Sequence, residues 1–311
     1  MTPDTVRSAA QVHQKGAPEP HVDLAAAAWS STRRRRSRLL PYAVGGRLLT
    51  VSALAIIGAL IVLSAFPFFI APDDPLKMEL VQRLHSPTWS HPFGTDEFGR
   101  DMLSRVIYGA RISLATAVLV VGVSTIVGCA LGALAGYAGG WLDELIMRVT
   151  DVFFAFPPIL LPMIVVVVLS PGLVNTVIAL AVVWWPAYAR LMRGQVLAGK
   201  RLGYVEAAHL LGASPARILR KHIIPNVSAP LVVMVTMDIG FVILSAAGLG
   251  FLGLGAQAPT PEWGAMTSAG FPFLLTAWWY ALFPGLAIAV TVLAFNLLGD
   301  EFQTRLDPHL R

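Results

Sequence analysis

Few residues of this chain have types and a spacing that could do chemistry. The strongest match is GQVLAGKR at residues 194–201, which fits the phosphate-binding loop G-x-x-x-x-G-K-[ST] except at its last position. There Arg201 replaces the hydroxyl that would hold magnesium, and the stretch follows an apolar run instead of a strand of a soluble domain. We therefore expect no nucleotide site here.

The histidines do not predict a metal site. They show neither H-E-x-x-H nor another metal-ligand spacing, and the chain has no G-x-S-x-G nucleophile elbow. The histidines are His13, His21, His85, His91, His209, His222 and His309. The sequence predicts a chain that catalyses nothing alone and binds no metal or cofactor itself.

Asp238 is the one acid well inside a long apolar run. An ionisable residue at such a position is a candidate for a translocation path or for pairing with a neighbouring helix. Two interpretations stay open: a structural carboxylate bonded to another helix, or the coupling group of an ion-driven carrier.

A polar and basic stretch, VEAAHLLGASPARILRKHIIPN at 205–226, stands between apolar runs. Before its glycine the spacing predicts a short helix with one apolar face, and Gly212 is placed to end that helix in a left-handed conformation. The predicted face consists of Tyr204, Ala207, Ala208 and Leu211.

A second short helix is predicted directly afterwards. Ser214 is a good N-cap, Pro215 suits the first helical position, and Pro225 is expected to stop the helix. Arg217, Arg220 and Lys221 would form a basic face. A pair of interfacial helices on anionic lipid would explain the charges, but not the Glu-Ala-Ala, glycine and proline at their spacings.

The elements around this stretch are membrane helices. Of the 311 residues 56% are hydrophobic and only 13% are charged, where a soluble domain has about a quarter charged residues. A run of about 20 apolar residues crosses the hydrocarbon of a bilayer. We predict six spans, at about 48–71, 112–137, 152–170, 173–188, 228–249 and 278–298. In the second, Gly128, Gly132 and Gly136 predict a small-residue face for close helix contact.

Lysines and arginines near the spans predict the orientation. They are dense before the first span and between the fourth and fifth, and absent between the fifth and sixth. Both termini and the segment 200–225 are therefore predicted to lie on the cytoplasmic side of the membrane. The stretch 72–111 should be external although it holds five basic residues, and we expect it to form a small structure of its own. The net charge of +5 needs no nucleic-acid partner.

Two regions follow from this pattern. Residues 1–42 are predicted to be a cytoplasmic tail, disordered because it lacks periodicity, and residues 43–311 the membrane domain.

The stretch EAAHLLGASPARILRKHIIPN resembles the EAA loop of ABC importer permeases. Glu206, Ala207, Ala208, Gly212 and Pro225 match that pattern at its spacing. His222 and Ile224 depart from it, and the ending is similar to the peptide branch of the family.

The resemblance extends from about residue 43 to the C-terminus. Residues 91–114, 140–158, 250–266 and 295–308 resemble the C-type permease subunits of dipeptide and oligopeptide importers. A departure at 303–305, where the family commonly has Arg-Asp-Ala, leaves the contacts of the tail open.

The resemblance implies an all-α membrane protein with the type I ABC importer permease fold. It implies that the chain pairs with a homologous second permease, two ATP-binding subunits that carry ATP and Mg, and an extracytoplasmic peptide-binding protein, within membrane lipid. The ATPase-coupling residues would include Glu206, Ala207, Ala208, Gly212, Ser214, Arg217 and Pro225. Alternatives are a nickel or glutathione permease of the same family, a secondary carrier using Asp238, and a membrane scaffold without a transport path.

Overall fold

The computed structural model describes residues 48–226 and 228–306, in which the regular elements are helices joined by turns and loops, with no strand among them. The helices are α1 Leu48–Ala65, α2 Pro67–Ile70, α3 Met102–Ala138, α4 Gly140–Phe154, α5 Leu160–Leu169, α6 Leu173–Gly199, α7 Gly203–Leu210, α8 Pro215–Ile218, α9 Ser228–Phe251, α10 Trp263–Gly270 and α11 Trp278–Leu306. The predicted tail, residues 1–42, lies outside the described residues.

Five of the described helices are long and apolar enough to cross a membrane: α1, α3, α6, α9 and α11. They confirm five of the predicted spans, although α3, α6 and α11 extend eight or more residues further than predicted and α1 ends at Ala65, six residues earlier. Helix α3 begins at Met102, ten residues earlier, because Asp101 caps it by accepting a hydrogen bond from the Ser104 N–H at 2.7 Å. Helix α6 continues past residue 188 to Gly199.

The remaining predicted span, 152–170, is not one continuous helix. Helix α4 ends at Phe154 and α5 begins only at Leu160, with Pro157 and Pro158 between them. Proline has no N–H to donate and disfavours helical backbone in the residue before it, so the pair interrupts the helix. The ten residues of α5 rise about 15 Å, roughly half of the hydrocarbon thickness.

Helix α3 packs closely on α6 through its glycines. A Cβ atom at Gly128 or Gly132 would overlap the α6 backbone at Trp185 or Ala189, and one at Gly136 would lie 2.9 Å from the Arg193 carbonyl oxygen. The predicted small-residue face is therefore confirmed. Helices α9 and α11 pack on each other, α9 also packs on α3, and α5 lies against α6.

The stretch between α2 and α3 has a structure of its own, as predicted. Asp96 is completely buried and accepts a hydrogen bond from Arg100 Nε at 2.6 Å, while Arg105 Nε lies 3.5 Å from the same carboxylate oxygen. Trp279 of α11 donates its indole N–H to the Thr95 carbonyl at 3.1 Å. Two of the five basic residues here are thus paired and buried, so they are not free positive charges that would set the orientation.

Candidate functional site

The segment after α6 contains the turn that the sequence predicts. Helix α7 runs to Leu210, and Gly212 has φ of +78°. The Gly212 N–H donates to the His209 carbonyl at 3.0 Å and the Ala213 N–H donates to the Ala208 carbonyl at 3.1 Å. These two bonds are those of a Schellman motif, which needs a left-handed residue where glycine stands. The prediction for Gly212 is confirmed.

The second half of the segment differs from the prediction. Ser214 occupies the N-cap and Pro215 the first helical position, but the Ser214 hydroxyl makes no capping bond and α8 ends at Ile218. A π-helical turn, Leu219–Ile223, and a 3-10 turn, Ile224–Asn226, follow. Pro225 therefore lies inside the 3-10 turn, and α8 ends seven residues before it, so the prediction that Pro225 stops this helix is wrong.

The buried face of α7 is not the predicted one. Val205 is 4% exposed and, with partly buried Ala208, packs against Ala133 of α3 and Met192 and Val196 of α6. The expected face is wrong for its other members, since Tyr204, Ala207 and Leu211 are exposed. The shift follows from tertiary packing, because the ends of α3 and α6 lie on the Val205 side.

Two leucines at the turn are almost fully exposed. Leu210 is 82% and Leu211 88% exposed. Ile218 and Ile223, by contrast, are buried in the cluster that holds Val205. The segment thus uses some apolar side chains as anchors and presents Leu210 and Leu211 outward.

The polar residues of the segment point to solvent. Glu206 lies in the first turn of α7, where the helix dipole favours a negative charge, and it is exposed. Arg217, Arg220 and Lys221 are also exposed, which agrees with the predicted basic face. The Tyr204 hydroxyl donates to the His222 carbonyl at 3.3 Å and joins the two halves.

Arg193 of α6, and Lys200 directly after it, connect the start of the segment to α3 and α4. The Lys200 ammonium donates to the Tyr137 carbonyl at the end of α3 at 2.9 Å. Arg193 bonds the Asp143 carboxylate of α4, and its hydrogen bonds hold the pKa of Asp143 below its ordinary value. A Cβ atom at Gly199 would lie 3.0 Å from the Ile223 side chain, so α6 and the π-helical turn are in close contact.

The near match to a phosphate loop does not form a loop. Residues 194–199 belong to α6, which ends at Gly199. Their backbone N–H groups are committed to helical bonds and do not form a cradle for phosphate. Among the described residues, no three His, Cys, Asp or Glu side chains lie together as metal ligands.

Asp238 lies apart from this segment, in the middle of α9. It borders a cavity of about 250 Å³ beside the break between α4 and α5. The cavity is also lined by Phe153, Phe156 and Trp184, residues that the sequence did not single out. The Pro157–Pro158 pair was the available signal, because an interrupted apolar helix often borders a site.

No pattern in the sequence marks a further buried acid, Glu262. Glu262, 5% exposed, caps α10 by accepting hydrogen bonds from the N–H groups of Gly264 at 2.9 Å and Ala265 at 2.8 Å. Burial raises the pKa of Glu262, and the two backbone bonds oppose that rise. Its role is to end the preceding loop and start α10.

Known proteins with similar sequences define the class. The family described as binding-protein-dependent transport system inner membrane component matches residues 128–311. The chain is 42% identical over 269 residues to the probable D,D-dipeptide transport system permease protein DdpC of Escherichia coli K12, across 86% of this chain and 90% of that protein. It is 43% identical over 263 residues to the dipeptide transport system permease protein DppC of Alkalihalophilus pseudofirmus, across 85% and 86%. It is 46% identical over 253 residues to the glutathione transport system permease protein GsiD of Pectobacterium atrosepticum, across 81% and 84%.

A solved structure supports the fold. The inward-facing MetNI methionine ABC transporter superposes with a TM-score of 0.55 at 20% identity, across 66% of this chain and 98% of that chain. The architecture is thus that of an ABC importer permease, an all-α membrane protein. The chain belongs to the family of inner membrane components of binding-protein-dependent transport systems, which confirms the resemblance seen in the sequence.

Proposed function

We propose that this chain is the C-type permease subunit of an ATP-driven importer of dipeptides or oligopeptides. One observation carries the proposal: the helix-turn-helix segment of residues 203–226 is anchored by buried Val205, Ile218 and Ile223, yet presents Leu210 and Leu211 to solvent. An exposed apolar pair on a fixed frame, flanked by charged side chains, is typical of a protein-docking surface.

The occupant of this surface is an ATP-binding subunit. In this proposal two such subunits bind and hydrolyse ATP with Mg, while this chain catalyses nothing and supplies half of the path. A homologous second permease supplies the other half, and an extracytoplasmic peptide-binding protein delivers substrate. Docking at residues 203–226 lets nucleotide binding bias the permease between two packings, one open to each side.

Surface lipid is the competing occupant of the segment. Interfacial helices would bury an apolar stripe in the bilayer and extend their basic side chains toward head groups. Here the inward stripe, including Val205 and Ile218, contacts α3 and α6. Leu210 and Leu211 lie at the turn instead of along a helix stripe. This arrangement favours a protein partner.

The substrate class rests on the relatives. Two of them are named for dipeptides and one for glutathione, itself a small peptide. A nickel permease or an ion-coupled carrier would differ in uptake assays, since neither would import a dipeptide in an ATP-dependent manner. We further propose that both termini are cytoplasmic in the inner membrane.

The deciding experiment is co-purification of the ATP-binding subunits with permease variants at matched permease level. Glu206→Lys reverses an exposed charge, and Gly212→Val forces a β-branched residue into φ of +78°, a cost of roughly 1–2 kcal/mol. Both variants should insert but recover less ATPase and uncouple hydrolysis from transport. Gly203→Ala is the matched control, because a Cβ atom there meets nothing within 4 Å and the backbone is not left-handed.

Normal recovery and normal substrate-stimulated hydrolysis in both variants would contradict the docking assignment. In that case neutralising Arg217, Arg220 and Lys221 together should instead weaken the association of the segment with membrane lipid.

A further inference from the structure

The Asp238 carboxylate has an oxygen without the pairing that an acid at this depth normally has. The side chain is partly exposed, yet its Oδ2 atom is fully buried and has no hydrogen-bond partner among the described residues. The Tyr188 hydroxyl and the Trp184 indole of α6 lie beside the carboxylate and interact with it, but neither reaches Oδ2 with full hydrogen-bond geometry. A carboxylate oxygen left unpaired inside an apolar bundle is costly, so one that is retained points to a ligand.

The cavity next to Asp238 is formed by three separate parts of the chain. The end of α4 and the Pro157–Pro158 break form one wall, α6 contributes Trp184 and Ala187, and α9 contributes Met234 and Asp238. Non-helical backbone at membrane depth is tolerated where it is buried in protein or lines a cavity. The break between α4 and α5 therefore marks this cavity as part of the interior path.

The chemistry of the lining selects a cation. Asp238 is the only charged residue that the described chain contributes to the cavity, and Phe153, Phe156 and Trp184 supply aromatic rings. A carboxylate beside aromatic faces binds an ammonium group by charge pairing and by cation–π attraction. A bound metal ion would need several oxygen or nitrogen ligands, and the remaining lining residues are apolar.

The size of the cavity limits what can enter. Its volume of about 250 Å³ is below the roughly 300–1,000 Å³ of sites that enclose a whole small-molecule ligand. It therefore takes one end of a substrate. The free α-amino group is the cationic end that every unmodified peptide carries at neutral pH.

One arginine borders the same region, but its charge is already balanced. Arg190 lies over the Phe154 ring with its guanidinium carbon 4.3 Å from the ring centroid, and its Nη2 bonds the Asp151 carboxylate at 2.6 Å. Neither Arg190 nor Asp151 lines the cavity, so this pair places no charge in it.

We infer that Asp238, with the aromatic cavity between the α4–α5 break, α6 and α9, is a subsite of the translocation path that receives the primary ammonium group of the transported peptide. The inference rests on the proposed import of peptides for the identity of the substrate. The preference of the cavity for cations does not depend on that proposal.

A thiol-reactivity experiment tests the cation preference directly. Ala187→Cys is introduced into the Cys129→Ala background of the full chain with its native partners, and modification rates are measured with cationic 2-aminoethyl methanethiosulfonate and neutral methyl methanethiosulfonate. The cationic-to-neutral rate ratio should fall about tenfold on adding Asp238→Asn, since one nearby charge in a poorly solvated site changes the local cation concentration by at least that factor. With Ser214→Cys as the matched control, the ratio should not change.

Either of two results would overturn the inference. A rate ratio unaffected by Asp238→Asn would mean that the carboxylate attracts no cation. A lack of modification of Ala187→Cys by either reagent, above the level of the Cys129→Ala background that has no cysteine, would mean that the cavity cannot be reached.

A transport experiment then tests the substrate group. Uptake of L-Ala-L-Ala and of its N-acetyl derivative is compared in wild type and Asp238→Asn with the same binding protein, whose own selectivity cancels in the double comparison. The penalty for acetylation should shrink about tenfold in the variant, and Asp238→Glu should restore most of it. An equal slowing of both peptides contradicts ammonium recognition. Failure of the wild type to import L-Ala-L-Ala with ATP contradicts the proposed function instead, and the thiol ratios still decide the cation preference.

Discussion

Arg193 of α6 holds Asp143 of α4 with two parallel hydrogen bonds. Its Nε donates to Oδ1 at 2.5 Å and its Nη2 donates to Oδ2 at 2.7 Å. Asp143 lies in the first turn of α4, where the helix dipole also favours its charge. The pair fixes the start of α4 to the last part of α6, so it helps to set where the segment after α6 emerges.

The first prediction concerns this two-bond geometry. Arg193→Lys keeps the charge but cannot make both parallel bonds, so thermal stability of the purified permease should fall by the equivalent of about 1 kcal/mol. Arg148→Lys is the matched control, because Arg148 makes one exposed bond to Glu144 at 2.9 Å within α4. Unfolding followed by tryptophan fluorescence measures both. Equal losses in the two variants would show that the Arg193–Asp143 contact contributes no more to stability than an exposed ion pair within α4.

The second prediction is the pH dependence of the same contact. Hydrogen bonding to Arg193 lowers the pKa of Asp143 from its ordinary value of 3.8. A carboxyl group whose pKa is lower in the folded state contributes stability that is complete above the ordinary pKa and is lost as the pH falls through the folded value. The stability advantage of wild type over Asp143→Asn should thus be constant near neutral pH and shrink below about pH 4. Melting curves from about pH 3 to about pH 7 check the sign; an advantage that grows with acid would contradict it.

The third prediction concerns the contact of α3 with α6. Gly132→Ala places a Cβ atom against the Ala189 backbone, so the two helices must separate, at a cost of about 1–3 kcal/mol. Gly122→Ala is the control in the same helix, since a Cβ atom there meets nothing within 4 Å. We expect Gly122→Ala to be neutral or slightly stabilising. A Gly132→Ala protein that melts with the wild type would show that the packing of α3 on α6 can relax.

Local patterns in the sequence predicted features that depend on neighbouring residues. Apolar runs located five of the long helices, and Gly212 was recognised because a helix followed at once by Ser214–Pro215 needs a left-handed residue between them. The glycines at 128, 132 and 136 predicted a contact face, because their four-residue spacing places them on one side of α3.

Features that depend on distant residues were not predictable in this way. Val205 faces inward, and Tyr204 does not, because the ends of α3 and α6 lie on that side, and no local spacing records their position. The burial of Asp96 depends on Arg105 and on the chain folding back to α11. The cavity at Asp238 joins residues from α4, α6 and α9, so only the acid, without its aromatic surroundings, stood out in the sequence.

The fourth prediction is the sidedness of the two ends of the bundle. Thr50 of α1 donates to Glu301 of α11 at 3.0 Å, at the end where Lys200 reaches Tyr137. At the other end Arg105 Nη1 donates to the Pro75 carbonyl at 3.0 Å. Single cysteines in a Cys129→Ala background should therefore fall into two groups. An impermeant thiol reagent should label position 257 and positions within 72–91 in intact cells, but positions 214 and 304 only after the membrane is opened. Labelling of position 214 in intact cells would show that the predicted orientation is wrong.

The fifth prediction separates protein docking from lipid contact at the turn of the segment. Leu210 and Leu211 are 82% and 88% exposed, so replacing both by serine should change the stability of the isolated permease by no more than about 0.5 kcal/mol. If an ATP-binding subunit buries them, docking gains roughly 1.5–3 kcal/mol from burial of each leucine. The double serine variant lacks this gain, so recovery of that subunit should fall at least tenfold. Leu275→Ser is the matched control, because Leu275 is also fully exposed and lies beyond α10, away from the segment. Its recovery of ATPase should equal that of wild type. Retention of the ATPase by the double variant, together with weaker association of the segment with vesicles, would assign the two leucines to lipid.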